Sequence, residues 1–187
     1  NVVGGMFGFE KEDFFELTFD DSEWPTITVP GCWETQGYGI PIYSNVRYPH
    51  PTAPPFADAN YNPVGSYRLW FAIPQEWKGR RVFLRFGGVY SAFLVWVNGQ
   101  EVGYSEDSKG PAEFEITRYL IDGENLLAVR VFRWCDGSYL EDQDMFRFGG
   151  IFRSVSLFST NPTYIRDVWL EQEFSNDHNN AALKARI

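Results

Sequence analysis

The sequence predicts an all-β chain: an antiparallel sandwich or jelly roll over residues 1–160, then the start of a following domain over residues 161–187. Three observations predict it. Apolar and polar residues alternate with period two, turn-forming pairs punctuate the chain at short intervals, and no segment sustains a helical period. The 18% aromatic content agrees, because Phe, Tyr and Trp fit pleated, half-buried surfaces.

The elements follow in order. Trp33 and Trp96 read as core. Residues 38–65 carry Pro41, Pro49, Pro51, Pro54, Pro55 and Pro63, which central strands exclude, so this is an irregular loop whose aromatics (Tyr43, Tyr48, Phe56, Tyr61) hold it by packing. Tyr67, Leu69, Phe71 and Ile73 then share one strand face, with Arg68 on the other. Val82, Leu84 and Phe86 alternate with Arg81, Phe83 and Arg85. Residues 91–97 form a near-continuous apolar run, as in a strand covered on both sides. Asn98-Gly99 supplies the left-handed conformations of a tight hairpin, and the chain returns through residues 100–105. Gly110-Pro111 and Asp122-Gly123 mark further turns, Leu127, Val129 and Val131 line another strand, and residues 151–158 make one more. Asn161-Pro162 reads as a boundary. Beyond it, residues 164–174 read as a strand, residues 175–180 as a polar turn, and Leu183, Ala185 and Ile187 begin a further alternation, expected to continue in a following domain.

Composition excludes several functions. A net charge of −9 and a pI near 4.7 disfavour nucleic acid and anionic membranes, which need clustered Lys and Arg. No stretch approaches the roughly 20 apolar residues of a membrane helix. With no signal-peptide pattern after Asn1, the expectation is a soluble protein, cytoplasmic or periplasmic. Cys32 and Cys135 lack metal-ligand spacing and read as free, partly buried thiols. His50 and His178 lie far apart, so a histidine metal pair or a Ser-His-Asp triad has little support.

Residues 133–147, RWCDGSYLEDQDMFR, hold four carboxylates and two arginines among aromatic side chains. Such a segment belongs on the surface. Flat rings beside carboxylates and amides suit a sugar, which has apolar C–H faces and a rim of hydroxyls. Trp134, Tyr139 and Phe146 are candidates for stacking on sugar or for packing in the core. Arg133, Arg147 and Arg153 are placed to clamp Glu141 and Asp142 in bidentate pairs. Glycoside hydrolysis needs two opposed carboxyl groups, and nothing in the spacing of Glu141, Asp142 and Asp144 provides them, so no catalytic residue is assigned to this chain.

The run Asp136 to Met145 followed by Gly150-Ile151-Phe152-Arg153 closely resembles the first domain of glycoside hydrolase family 2 β-galactosidases. Two more blocks, residues 29–49 and 89–105, resemble it in the same order. The resemblance implies a jelly-roll sugar-binding domain of the galactose-binding type. It further implies a following immunoglobulin-like sandwich, and then a barrel domain bearing the catalytic glutamates of a retaining β-galactosidase. By the same resemblance, Asp144 contacts the galactose and a sodium ion, and Asn45 contacts the sugar. The implied cofactors of the parent enzyme are sodium, or magnesium, with none in this stretch alone. The implied partners are a β-galactoside and the parent's own barrel domain, in a homo-oligomeric parent. The alternatives are a stand-alone carbohydrate-binding module, or the first domain of a β-glucuronidase or β-mannosidase. For the two site residues, the residue-level alternatives are a salt bridge from Asp144 to Arg147 or Arg153, and a turn role for Asn45. The sequence departs from the family at Phe146, where a tryptophan is usual, and at Phe148-Gly149; Gly149-Gly150 is expected to loosen the backbone there.

Overall fold

The computed structural model describes residues 2–8, 13–141 and 143–187, and its regular structure there is β-strand with short 3-10 turns. The strands are β1 (Val2–Gly8), β2 (Thr26–Thr28), β3 (Ile42–Ser44), β4 (Val64–Ala72), β5 (Arg81–Phe86), β6 (Ala92–Val97), β7 (Gln100–Ser105), β8 (Ala112–Glu115), β9 (Glu124–Phe132), β10 (Met145–Arg147), β11 (Val155–Thr160), β12 (Trp169–Phe174) and β13 (Ala181–Arg186). A six-stranded antiparallel sheet runs β2-β1-β4-β9-β6-β7, and a three-stranded sheet runs β11-β5-β8. The alternation expected in β5 is what joins them. Val82, Leu84 and Phe86 point into a shared core with Phe93, Val95 and Val97 of β6 and Val129 and Val131 of β9. Phe86 and Phe93 meet across the two sheets with centroids 4.8 Å apart, a geometry worth about 0.5–1.5 kcal/mol beyond area burial.

The continuous apolar run of β6 has the expected cause. Its inner face fills the main core, while Trp96 on the outer face joins Phe14, Trp24 and Ala128 in a second cluster. Residues 13–24 fold over that outer face and bury Arg68, which donates to Asp21 at 2.7 Å and to the Glu16 carbonyl at 2.9 Å. Asn98 and Gly99 turn β6 into β7 with φ of 52° and 78°, and Asn98 also fastens neighbouring loops. It donates to the Tyr119 carbonyl and accepts from the Leu126 amide. β1, from the glycine-rich start of the chain, pairs between β2 and β4, an insertion that sequence patterning did not reveal.

Two expectations are corrected. Gly149 and Gly150 are not a loose point. Trp33, 1% exposed, lies against both, and a Cβ at Gly149 would stand 2.4 Å from its ring, so the glycines make room for the indole. The strands expected over residues 151–158 and 164–174 begin later, at Val155 and Trp169. β12 and β13 pair with one another as a two-stranded ribbon after the sandwich.

Candidate functional site

The irregular loop and the acidic segment, about a hundred residues apart in sequence, meet as a two-stranded ribbon in the register Ile42↔Arg147, Tyr43↔Phe146, Ser44↔Met145. Asn45 and Asp144 follow one step beyond the last pair, both exposed, so the ribbon brings the two predicted site residues to one end. Period-two alternation puts Tyr43 and Phe146 on one ribbon face, with Asp144 next in line on that face. The Tyr43 hydroxyl donates to Asp144 Oδ1, which is therefore the partner observed for this carboxylate rather than Arg147 or Arg153. That hydrogen bond, and then the negative charge itself, push the Tyr43 phenol above its ordinary pKa, so Tyr43 stays a donor. Phe146 is 56% exposed, 5.4 Å from Tyr43 and 5.6 Å from Phe148 between centroids. Aromatic faces, a carboxylate and an amide thus share one exposed edge.

Two buried arginines hold the ribbon, and at Glu141 the guanidinium meets the carbonyl rather than the expected carboxylate. Arg133 Nη2 lies 3.1 Å from Glu34 Oε1 and donates to the carbonyls of Ile40 (3.0 Å) and Arg147 (2.9 Å), one on each side of the pair. Glu34 in turn accepts from the Gly149 amide at 3.0 Å. Arg147, 2% exposed, donates to the Glu141 carbonyl and to the Gln143 carbonyl at 2.7 Å, pinning the backbone that leads into Asp144. Arg153 instead reaches the carbonyls of Lys109 and Gly87. The expected pairing to Asp142 falls outside the described residues.

The aromatic candidates divide. Trp134 is 2% exposed and packs 4.9 Å from His50. Tyr139 is half-buried, its hydroxyl accepting from the Ala53 amide and donating to the Phe56 carbonyl, which ties down the proline-rich loop. Of the three, Phe146 has the face exposed for a ligand. Sequence reasoning missed Tyr43 as the partner of Asp144; its position two residues before Asn45 was the available signal.

Asp144 offers one hard oxygen ligand, with Oδ1 already shared with Tyr43. Calcium and magnesium take six or more oxygens, so this carboxylate fits a hard cation only as one member of a set completed elsewhere. The described residues bring ligand atoms of Glu106, Cys135 and Asp136 within 4.8 Å of one another, a mixed thiol and carboxylate group that does not include Asp144. Both cysteines are free, and burial raises the Cys32 thiol above its ordinary pKa. Two cavities, of about 370 and 360 Å³, lie elsewhere. The first is lined by core residues such as Leu69, Phe71 and Leu157, and the second lies beside Trp134 and Asp136; neither includes Asp144 or Asn45. Among the described residues no helix is long and apolar enough to cross a membrane.

A family model described as the sugar binding domain of glycosyl hydrolases family 2 matches residues 10–162. Over 176 residues the chain is 48% identical to a beta-galactosidase of Priestia megaterium, covering 92% of this chain and 17% of that protein. Over 167 residues it is 50% identical to a beta-galactosidase of Psychromonas ingrahamii, covering 89% of this chain and 16% of that protein. A solved beta-glucuronidase from an uncultured Clostridium sp. superposes with a TM-score of 0.72 at 22% identity, over 100% of this chain and 33% of its own, a likeness of fold alone. This chain belongs to the sugar-binding domain family of glycosyl hydrolases family 2. It spans 16–17% of the length of the curated relatives it matches.

Proposed function

We propose that this chain is the non-catalytic first domain of a retaining β-galactosidase, and that it lends Asp144 and Asn45 to the galactose end of a pocket completed by a barrel domain. The observation that carries the reading is the exposed end of the β3–β10 ribbon, where Asp144 and Asn45 each follow one residue beyond the Ser44–Met145 pair. An ionised carboxylate accepts strongly from sugar hydroxyls, and an amide both donates and accepts, so together they match the hydroxyl rim of a hexose. The high identity to two beta-galactosidases supports the choice of substrate class.

In this reading the chain's residues bind and orient the sugar and move no proton. Asp144 fixes the galactosyl hydroxyls, and Asn45, just past the end of β3, completes that grip. A bound sodium or magnesium ion would supply positive charge beside the sugar oxygens, with Asp144 as one of its oxygen ligands. Around the ribbon, Leu140 and Val46, 86% and 79% exposed, provide apolar surface for the rest of the polypeptide to cover. In the same reading, the exposed Leu170, Phe174 and Leu183 of the β12–β13 ribbon pack against the rest of a second sandwich that residues 161–187 begin.

The test is Asp144→Asn in the full-length protein. Hydrogen bonds to a charged group are worth about 1.5–3 kcal/mol, so kcat/KM for β-galactosides should fall by at least about tenfold. Unchanged kinetics would leave the domain an architectural role only.

A further inference from the structure

Resting on the reading just given, we infer that Tyr43 is the positioning residue for Asp144: its hydroxyl holds one carboxylate oxygen and leaves the other to the sugar. Asp144 precedes β10 by a single residue and is exposed, so no packing fixes its rotamer. A carboxylate free to rotate loses orientation entropy when a ligand arrives. Tyr43 removes that freedom in advance. Its backbone is paired with Phe146 in the β3–β10 register, and its ring rests 5.4 Å from that of Phe146. From there the phenol reaches diagonally across the ribbon to Asp144 Oδ1. A stiff aromatic side chain with two torsions is suited to this task, because holding it still costs little entropy. A phenol is protonated at neutral pH, so the donor persists.

The experiment is a double-mutant cycle in the full-length protein, using Tyr43→Phe, Asp144→Asn and the pair, with o-nitrophenyl β-D-galactoside as substrate. Tyr43→Phe keeps the ring against Phe146, so the unfolding midpoint should not move. Its kcat/KM should fall by about three- to tenfold, and the inhibition constant of free D-galactose should rise by a similar factor. In the Asp144→Asn background the same change should add nothing, because the group that Tyr43 positions is already altered. Wild-type kinetics for Tyr43→Phe would overturn the inference while Asp144 keeps its role. Equal losses in both backgrounds would also overturn it, showing that the hydroxyl acts on its own. An active Asp144→Asn enzyme would remove the functional reading and this inference together.

Discussion

Glu34 has a fully buried side chain, and its countercharge is Arg133, itself 5% exposed. Two charges out of water are tolerated when each is met, and here Glu34 also accepts the Gly149 amide while Arg133 holds the Ile40 and Arg147 carbonyls. Removing one partner leaves the other charge buried and unmet, which typically costs about 3–5 kcal/mol. We therefore expect Glu34→Ala to lower the unfolding free energy by about that much in urea titrations. Against a typical total of about 5–15 kcal/mol that is a large fraction. Glu34→Gln keeps an acceptor for Gly149 and should cost less than the alanine. A Glu34→Ala domain within about 1 kcal/mol of the parent would show that water relieves Arg133. This ion pair was not legible in the sequence. Glu34 and Arg133 lie about a hundred positions apart, and local patterning offered Glu141 and Asp142 as the arginine's partners instead.

Elements whose partners are near in sequence were the legible ones. The β6–β7 hairpin could be read from Asn98-Gly99, and the alternation of β4, β5 and β9 from side-chain type, because both signals are local. β3 was hidden in a proline-rich loop because its strand partner, β10, follows about a hundred residues later. The placement of Asp144 on a surface edge was legible from composition and block resemblance, whereas its Tyr43 partner depended on that unseen register. The turn between β12 and β13 carries a prediction of its own. Asp177 accepts from the Ser175 hydroxyl, the Asn179 amide and the Asn179 side chain, and these bonds lower its pKa from 3.8 to about 2. A depressed folded pKa means that the ionised form favours the turn. Its contribution is complete above the unfolded value near 3.8 and is lost as pH falls through about 2. In an NMR titration the Asn179 amide should shift with a midpoint near 2. A midpoint near 3.8 would mean that the carboxylate is not bonded in the turn.

At the scale of the whole molecule, the question is whether this chain holds a ligand by itself. Small-molecule sites usually enclose most of their ligand, about 70–90% of its surface. Among the described residues, Asp144, Asn45 and Phe146 instead stand on an exposed ribbon end, outside both cavities. One or two hydrogen bonds to a sugar that stays hydrated on its other side return little net free energy, because water competes for every one of them. The entropic cost of immobilising the ligand is then not met. Calorimetry of the 187-residue chain with D-galactose and with lactose should therefore give flat isotherms at millimolar sugar, and incubation with o-nitrophenyl β-D-galactoside should release no nitrophenol. The rigidity of the ribbon sharpens the contrast with the full-length protein. Arg133 and Arg147 fix the edge without help from outside, so a missing affinity would reflect missing walls and not a disordered site. Saturable binding of galactosides by the isolated chain, abolished by Asp144→Asn, would instead make this a self-sufficient carbohydrate-binding module.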